Sequence, residues 1–282
     1  MTKQKYSRRE LLARLALVPA ILAVPKIDIF GNASSVTQKG KFVKLFDGKT
    51  LTGWHTNKEK IGHGTGGQWK VEKGVIVSQQ DPPGSGNGGI LMTDKKFGDF
   101  ELEVDVLPDF GVDSGVYIRV NEKGEGIQIY VDYRENGLIA FIATVEKQRM
   151  IIRPFCFDGI FDDKGKLTGL KTRPDTRDIA WKPDYLVYHC SPEEFKKAWK
   201  MGKWNRLRIR CTGKYPRITT WLNNVKMMEF DGETCPHPVY KKEALAEMLG
   251  REGHIALQVH EGKGSWGKDD VVRWKNIRIK EL

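Results

Sequence analysis

Asp113-Ser114-Gly115-Val116-Tyr117-Ile118-Arg119-Val120, followed by Gly126-Ile127-Gln128-Ile129-Tyr130-Val131-Asp132, alternates apolar with polar residues. Successive side chains of a strand point to opposite faces, so the alternation predicts two strands, each with one buried face. Val116, Ile118 and Val120 fall on one face of the first strand, Tyr117 and Arg119 on the other. Ile127, Ile129 and Val131 likewise oppose Gln128, Tyr130 and Asp132. The second faces carry Tyr, Arg, Gln and Asp, which hold a polar ring by stacking and hydrogen bonds. If the two strands share a sheet, it has an oily side and a side suited to sugar.

Strand signals continue in both directions. Phe42–Phe46, the hairpin Gln68–Glu72 and Val75–Ser78, and Phe100–Leu107 precede the central pair. Leu138–Ile142 follows the turn Glu135-Asn136-Gly137, and further strands are expected at Trp204–Cys211, Arg217–Leu222, Val225–Phe230, His254–His260 and Val271–Lys280. Helix is sparse: Ser191-Pro192-Glu193-Glu194 is a capping box opening a short helix, and Lys241–Gly250 is a second candidate. The polar segment between Cys156 and Pro192, and the Gly- and Pro-rich Asp81–Gly89, read as long loops. Many strands with few helices imply an all-β jelly-roll sandwich of two antiparallel sheets with a few short helices.

The first 40 residues are expected to lie outside that domain. Ser7-Arg8-Arg9-Glu10-Leu11-Leu12 precedes an apolar run from Leu15 to Val24, the pattern of a twin-arginine export signal. The run is too short to span a bilayer, and Asn32-Ala33-Ser34 offers small residues for cleavage. This predicts a bacterial periplasmic or extracellular protein with no stable membrane span in the mature chain. Residues 1–40 hold seven Lys or Arg and two Asp or Glu, so their removal leaves +6 of the formal +11. Residues 41–282 fit one domain with both charge signs interspersed, and no basic run interleaved with aromatics points to nucleic acid. Cys156, Cys190, Cys211 and Cys235 form no CxxC pair, which disfavours zinc or redox chemistry. Export permits disulfides, but the pairing stays open, and Cys211 in its alternating run reads as a buried free thiol.

Ordered blocks along the chain resemble one family. Phe42-Val43-Lys44-Leu45-Phe46-Asp47-Gly48-Lys49-Thr50-Leu51-Thr52-Gly53-Trp54 is similar to the opening of the 3-keto-disaccharide hydrolase domain family. Phe97–Leu102, Asp113–Arg119, the pair Trp204-Asn205 and Trp221–Asn224, and the segments Gly253–His260 and Arg273–Lys280 resemble its later blocks. The resemblance implies a concanavalin- or laminin-G-like jelly roll acting on glycosides already oxidised to a ketone at sugar C3. Two positions depart from the pattern. Gly126 stands where relatives often carry Glu, and Asp113 stands where Asn is common.

A C3 ketone acidifies the C2 proton. Such a site needs a base, a cation or donor for the developing enolate oxygen, and an acid near the leaving group. His260, on the polar face of its strand with Gln258, is the first candidate base; a structural histidine is the alternative. Arg119 is the candidate clamp, or else the salt-bridge partner of Asp132. Asp132 is a second catalytic candidate, and Glu261 or an acid of the Cys156–Pro192 segment are weaker ones. Asp113, Tyr117, Gln128, Tyr130, Gln258 and Trp266 are the candidate substrate-binding residues, with Trp69 and Trp221 as further platforms. Glu101, Glu103 and Asp105 tempt a glucanase reading, but Pro108 takes the place of its second Glu, so these acids read as a solvated face. His63, His189, His237 and His254 are too scattered for a metal site, and the loops leave a calcium ion open. The competing reading is a non-catalytic carbohydrate-binding jelly-roll module, or an adhesion domain of the laminin-G kind.

Overall fold

The hairpin Gln68–Glu72 and Val75–Gln79 turns at Lys73 and Gly74, both with positive φ (49° and 85°), as a tight turn of that twist requires. The same device recurs at Asn136 and at Asn223-Asn224. Seventeen strands result in this computed structural model, which describes residues 40–57, 64–144, 150–175, 183–264 and 266–282. The twin-arginine segment and His63 lie outside the described residues.

In chain order the strands are β1 (Val43–Lys44), β2 (Trp54–Thr56), β3 (Gln68–Glu72), β4 (Val75–Gln79), β5 (Gly89–Thr93), β6 (Phe100–Pro108), β7 (Gly115–Val120), β8 (Ile127–Asp132) and β9 (Leu138–Thr144). They continue as β10 (Phe155–Phe161), β11 (Leu167–Pro174), β12 (Tyr188–His189), β13 (Asn205–Thr212), β14 (Arg217–Leu222), β15 (Val225–Asp231), β16 (His254–Val259) and β17 (Val272–Glu281). The helices α1 (Pro192–Ala198) and α2 (Lys242–Leu249) stand where the sequence places them. Ser191 Oγ accepts from the Glu194 amide and the Glu194 carboxylate accepts from the Ser191 amide, completing the capping box. Among the described residues, no helix is long and apolar enough to cross a membrane.

Two antiparallel sheets form the jelly roll. The nine-stranded sheet runs β12-β15-β14-β13-β6-β17-β4-β3, with β1 paired to β17; the six-stranded sheet runs β2-β5-β16-β7-β8-β9. Between them lies the main apolar core: Leu102, Val104, Leu207 and Ile209 from the larger sheet meet Val116, Ile118, Ile129 and Leu257 from the smaller. A separate cluster of Ile90, Met92, Tyr117, Val120 and Ala256 lies on the other face of the smaller sheet. That face holds the polar residues of the opening alternation.

The segment after Cys156 is not simply a loop. β10 and β11 pair as an antiparallel hairpin of their own, from Phe155↔Pro174 to Phe161↔Leu167. Its Asp and Gly residues hide the alternation in the sequence. The four cysteines are all free, and burial pushes the Cys211 thiol up to about 11 and the Cys190 thiol up to about 12.

Candidate active site

Strand register brings the candidate residues together. Tyr117 pairs with Gln128 and Gly115 with Tyr130, while Ala256 of β16 pairs with Tyr117 from the other side. Gln128 Nε2 donates to Gln258 Oε1 at 2.9 Å, and Gln258 Nε2 donates to the Tyr117 hydroxyl at 3.2 Å. Gly115 makes this possible: a Cβ there would stand 2.8 Å from Gln128 Nε2. The amide row therefore rests on a strand that must be flat at that point.

Beyond the amides lies a charged cluster. Arg134, just past β8, clasps two carboxylates: Nε donates to Asp132 Oδ1 at 2.7 Å and an Nη to Asp113 Oδ2 at 2.8 Å. Arg153 follows on the other side. Its Nε donates to Asp175 Oδ2 at 2.7 Å, an Nη donates to the Asn136 carbonyl, and its other Nη lies 3.7 Å from Asp132 Oδ2. The Arg153 guanidinium also stands 5.8 Å from the centre of the Tyr130 ring. Asp113, Asp132, Gln128, Tyr130 and Gln258 are all buried. Burial, reinforced by the Asp113 carboxylate, pushes Asp132 up to about 8, against the opposing pull of Arg134 and Arg153. A carboxyl group poised near neutrality in a dry, polar setting is suited to taking or giving a proton.

His260 sits one residue beyond β16, and its amide donates to the Asp113 carbonyl at 3.3 Å. Its Nδ1 lies 2.5 Å from the Glu261 carbonyl, which can only accept, so Nδ1 carries the proton and Nε2 is the basic nitrogen. Trp266 is 5 % exposed and walls a groove shared with Arg134, Glu135 and Phe110; it is not the mobile loop platform its glycine-rich neighbours suggest.

Arg119 does not join this site. It adopts a positive φ of 55°, and the β7–β16 register shifts beside it, between His254 and Ala256. The bulge reverses the alternation from this point. Val120, expected in the core, joins Tyr117 on the outer face, while the Arg119 side chain turns inward. There an Nη donates to Asp99 Oδ1 at 3.1 Å and to the Gly213 carbonyl at 3.2 Å. Asp132 is paired with Arg134 and Arg153 rather than with Arg119. Trp221 is also remote, on the outer face of the larger sheet, with the Arg208 guanidinium 4.1 Å from its ring centre. Trp69 lies on β3, at the end of the larger sheet. Glu101, Glu103 and Asp105 line that sheet's outer face, paired with Lys280, Arg278 and Arg206.

The sequence pattern of the 3-keto-alpha-glucoside-1,2-lyase-like domain matches residues 41–280. The chain belongs to this family. A 3-keto-disaccharide hydrolase of Bacteroides thetaiotaomicron is 32 % identical over 261 residues, covering 86 % of this chain and 78 % of that protein. Among solved structures, a provisionally named glycosyl hydrolase of Parabacteroides distasonis is 23 % identical with a TM-score of 0.49, covering 86 % of this chain and all (100 %) of its own. A prokaryotic β-1,3-1,4-glucanase (lichenase) from a mouse hindgut metagenome is 12 % identical with a TM-score of 0.43, covering 86 % and 98 %. This lyase-like family member is a glycoside-hydrolase-like enzyme.

Gly126, which stands where this family often carries Glu, has no room for a side chain on the present backbone. A Cβ there would meet Val120 Cγ2 at 2.9 Å and the Ile118 carbonyl at 3.1 Å. The bulge at Arg119 and the glycine at 126 are thus one adaptation: Val120 is turned outward into space that a side chain at 126 would need. The charged cluster instead draws on Arg134, Arg153 and Asp175. Sequence reasoning missed both arginines. Arg153 was signalled only by a lone charge after Met150-Ile151-Ile152, and Arg134 sits in a segment read as plain turn. Among the described residues, no three His, Cys, Asp or Glu side chains are grouped to hold a metal ion.

Proposed function

We propose that this enzyme cleaves 3-keto-glycosides, including 3-keto-disaccharides, by elimination and hydration. The observation that carries the proposal is the buried Asp113–Arg134–Asp132–Arg153 cluster, with one carboxyl group raised toward neutrality. Asp132 takes the C2 proton, which the C3 ketone makes acidic. The electron pair moves onto the ketone oxygen as an enolate, opposite the arginine cations. The enolate then collapses, expelling the C1 substituent and leaving a C1–C2 double bond. The departing oxygen takes up a proton from Asp132 or from the His260 side. Water then adds hydroxyl at C1 and hydrogen at C2. Gln128, Gln258, Tyr117 and Tyr130 supply hydroxyl contacts and a stacking edge. The family assignment and the name of the Bacteroides relative support this substrate class. We read the twin-arginine segment as placing the reaction in the periplasm or beyond; N-terminal sequencing of exported protein that begins at Met1 would contradict this.

The test is incubation with a 3-keto disaccharide beside its unoxidised parent. Sugar release from the oxidised form alone, lost in Asp132→Asn, supports the reading. Tight binding of the oxidised sugar without release would instead assign a carbohydrate-binding module.

A further inference from the structure

The β10–β11 hairpin ends in exposed apolar side chains. Ile160 is 46 % and Phe161 47 % exposed, among the few large apolar residues of the described chain that face solvent. Isolated exposed apolar residues are ordinary, but these two are not isolated. The Phe161 ring meets Phe110 edge to face at 5.4 Å, and Phe110 meets Tyr133 the same way at 5.1 Å. Phe110 in turn walls the groove of about 310 Å³ shared by Trp266, Glu135 and Arg134. That volume is at the lower end of small-ligand sites, about 300–1,000 Å³. The hairpin is fixed in place: the Gly159 amide donates to Glu135 Oε1 at 3.1 Å, and the Asn136 amide to Asp158 Oδ1 at 2.7 Å.

The groove therefore has two ends of opposite chemistry. At one end Arg134 holds Asp113 and Asp132, the groups that would work on the sugar. At the other, Phe110 and Trp266 stand beside the Phe161–Ile160 tip. The buried Trp266 Nε1 has no hydrogen-bond partner among the described residues, so a donor is available in this otherwise apolar wall. A second sugar ring would present several hydroxyls to these rings and leave most of them unmatched. An apolar ring carrying one oxygen matches both features.

We propose that this groove is an aglycone subsite for an aromatic or alicyclic ring, so that the enzyme's substrate class extends to 3-keto-glycosides of apolar alcohols and phenols. The inference rests on the proposed reaction at Asp132 but concerns a different set of residues. Phe161 and Ile160 set the preference, Phe110 relays it to the groove, and Trp266 meets the glycosidic side of the ring.

The experiment compares methyl and cyclohexylmethyl 3-keto-glucosides, both with simple alkoxide leaving groups, by titration calorimetry and by kcat/KM. Adding one apolar group to a matching pocket is worth about 10–200-fold. The wild-type protein is expected to favour the cyclohexylmethyl compound at least about tenfold in both measurements. Phe161→Ser and Ile160→Ser should bring the binding ratio close to one, with unchanged far-UV circular dichroism. Equal affinities of wild-type protein for the two compounds, or a preference that survives both substitutions, would overturn the subsite. Failure to cleave either compound would overturn the proposed reaction, and the binding ratio would still decide the groove.

Discussion

Asp132→Asn separates activity from stability more sharply than any other single change. The raised pKa has a direct thermodynamic consequence. In the unfolded chain an Asp ionises near about 3.9. In the folded protein Asp132 holds its proton up to about 8, because it is buried beside Asp113. Between these values, unfolding releases a proton, so the wild-type protein loses stability as pH rises. The Asp132 contribution is fully favourable below about pH 4 and falls by about 1.4 kcal/mol per pH unit up to about 8, where it levels off. At pH 7 the accumulated cost is about 4 kcal/mol as an upper bound. Asparagine keeps the shape and removes the ionisation. The variant should therefore be more stable than wild type at pH 7, by an amount that shrinks as pH is lowered toward 4. Urea unfolding of both proteins at pH 5, 6, 7 and 8 measures this directly. Cleavage of a 3-keto disaccharide by the same variant should fall by about 10²–10⁴-fold, the usual contribution of a positioned proton acceptor. Parallel pH–stability curves for the two proteins would refute the raised pKa, and with it the reason for choosing Asp132 as the base.

Four further outcomes are expected. Arg119→Met removes a buried cation that holds Asp99 and the Gly213 carbonyl; stability should drop by about 3 kcal/mol while kcat per folded molecule stays unchanged, read by denaturation and steady-state kinetics. Gly126→Glu forces a Cβ against Val120 and should destabilise the fold by about 1–3 kcal/mol, measured by urea unfolding, without raising activity. Gly115→Ala pushes on Gln128 and should raise KM for the keto sugar more than it lowers kcat. If Asp132 acts as a base in its ionised form, kcat/KM should climb with pH and flatten near about 8 in a pH–rate profile.

The two-sheet architecture was readable because most strands have one buried face, and alternation of two is the direct imprint of that burial. Hairpins ending in Lys73-Gly74, Asn136-Gly137 and Asn223-Asn224 were readable for the same local reason: the turn needs residues that tolerate positive φ. β5 and the β10–β11 hairpin were not. Gly89–Thr93 is buried on both faces and shows no period, whereas Asp158 and Gly159 interrupt the pattern of β10. The site was legible only up to Arg119. A strand period places Asp113, Tyr117, Gln128, Tyr130, Asp132 and Gln258 on one face, and the register brings them there. One bulged residue then reverses the count, sending Arg119 inward and Val120 out, and no residue type in the sequence announces it. Arg134, Arg153 and Asp175 come from turns and strand ends, where alternation carries no information.

The most direct test of the whole account is the isotope effect on cleavage of a 3-keto disaccharide deuterated at C2. Removal of that proton by Asp132 predicts slower cleavage of the deuterated substrate, and a released keto sugar that has taken hydrogen from solvent at C2. Cleavage at the same rate, with the deuterium kept in the product, would show that C1 is attacked without touching C2 and would contradict the mechanism.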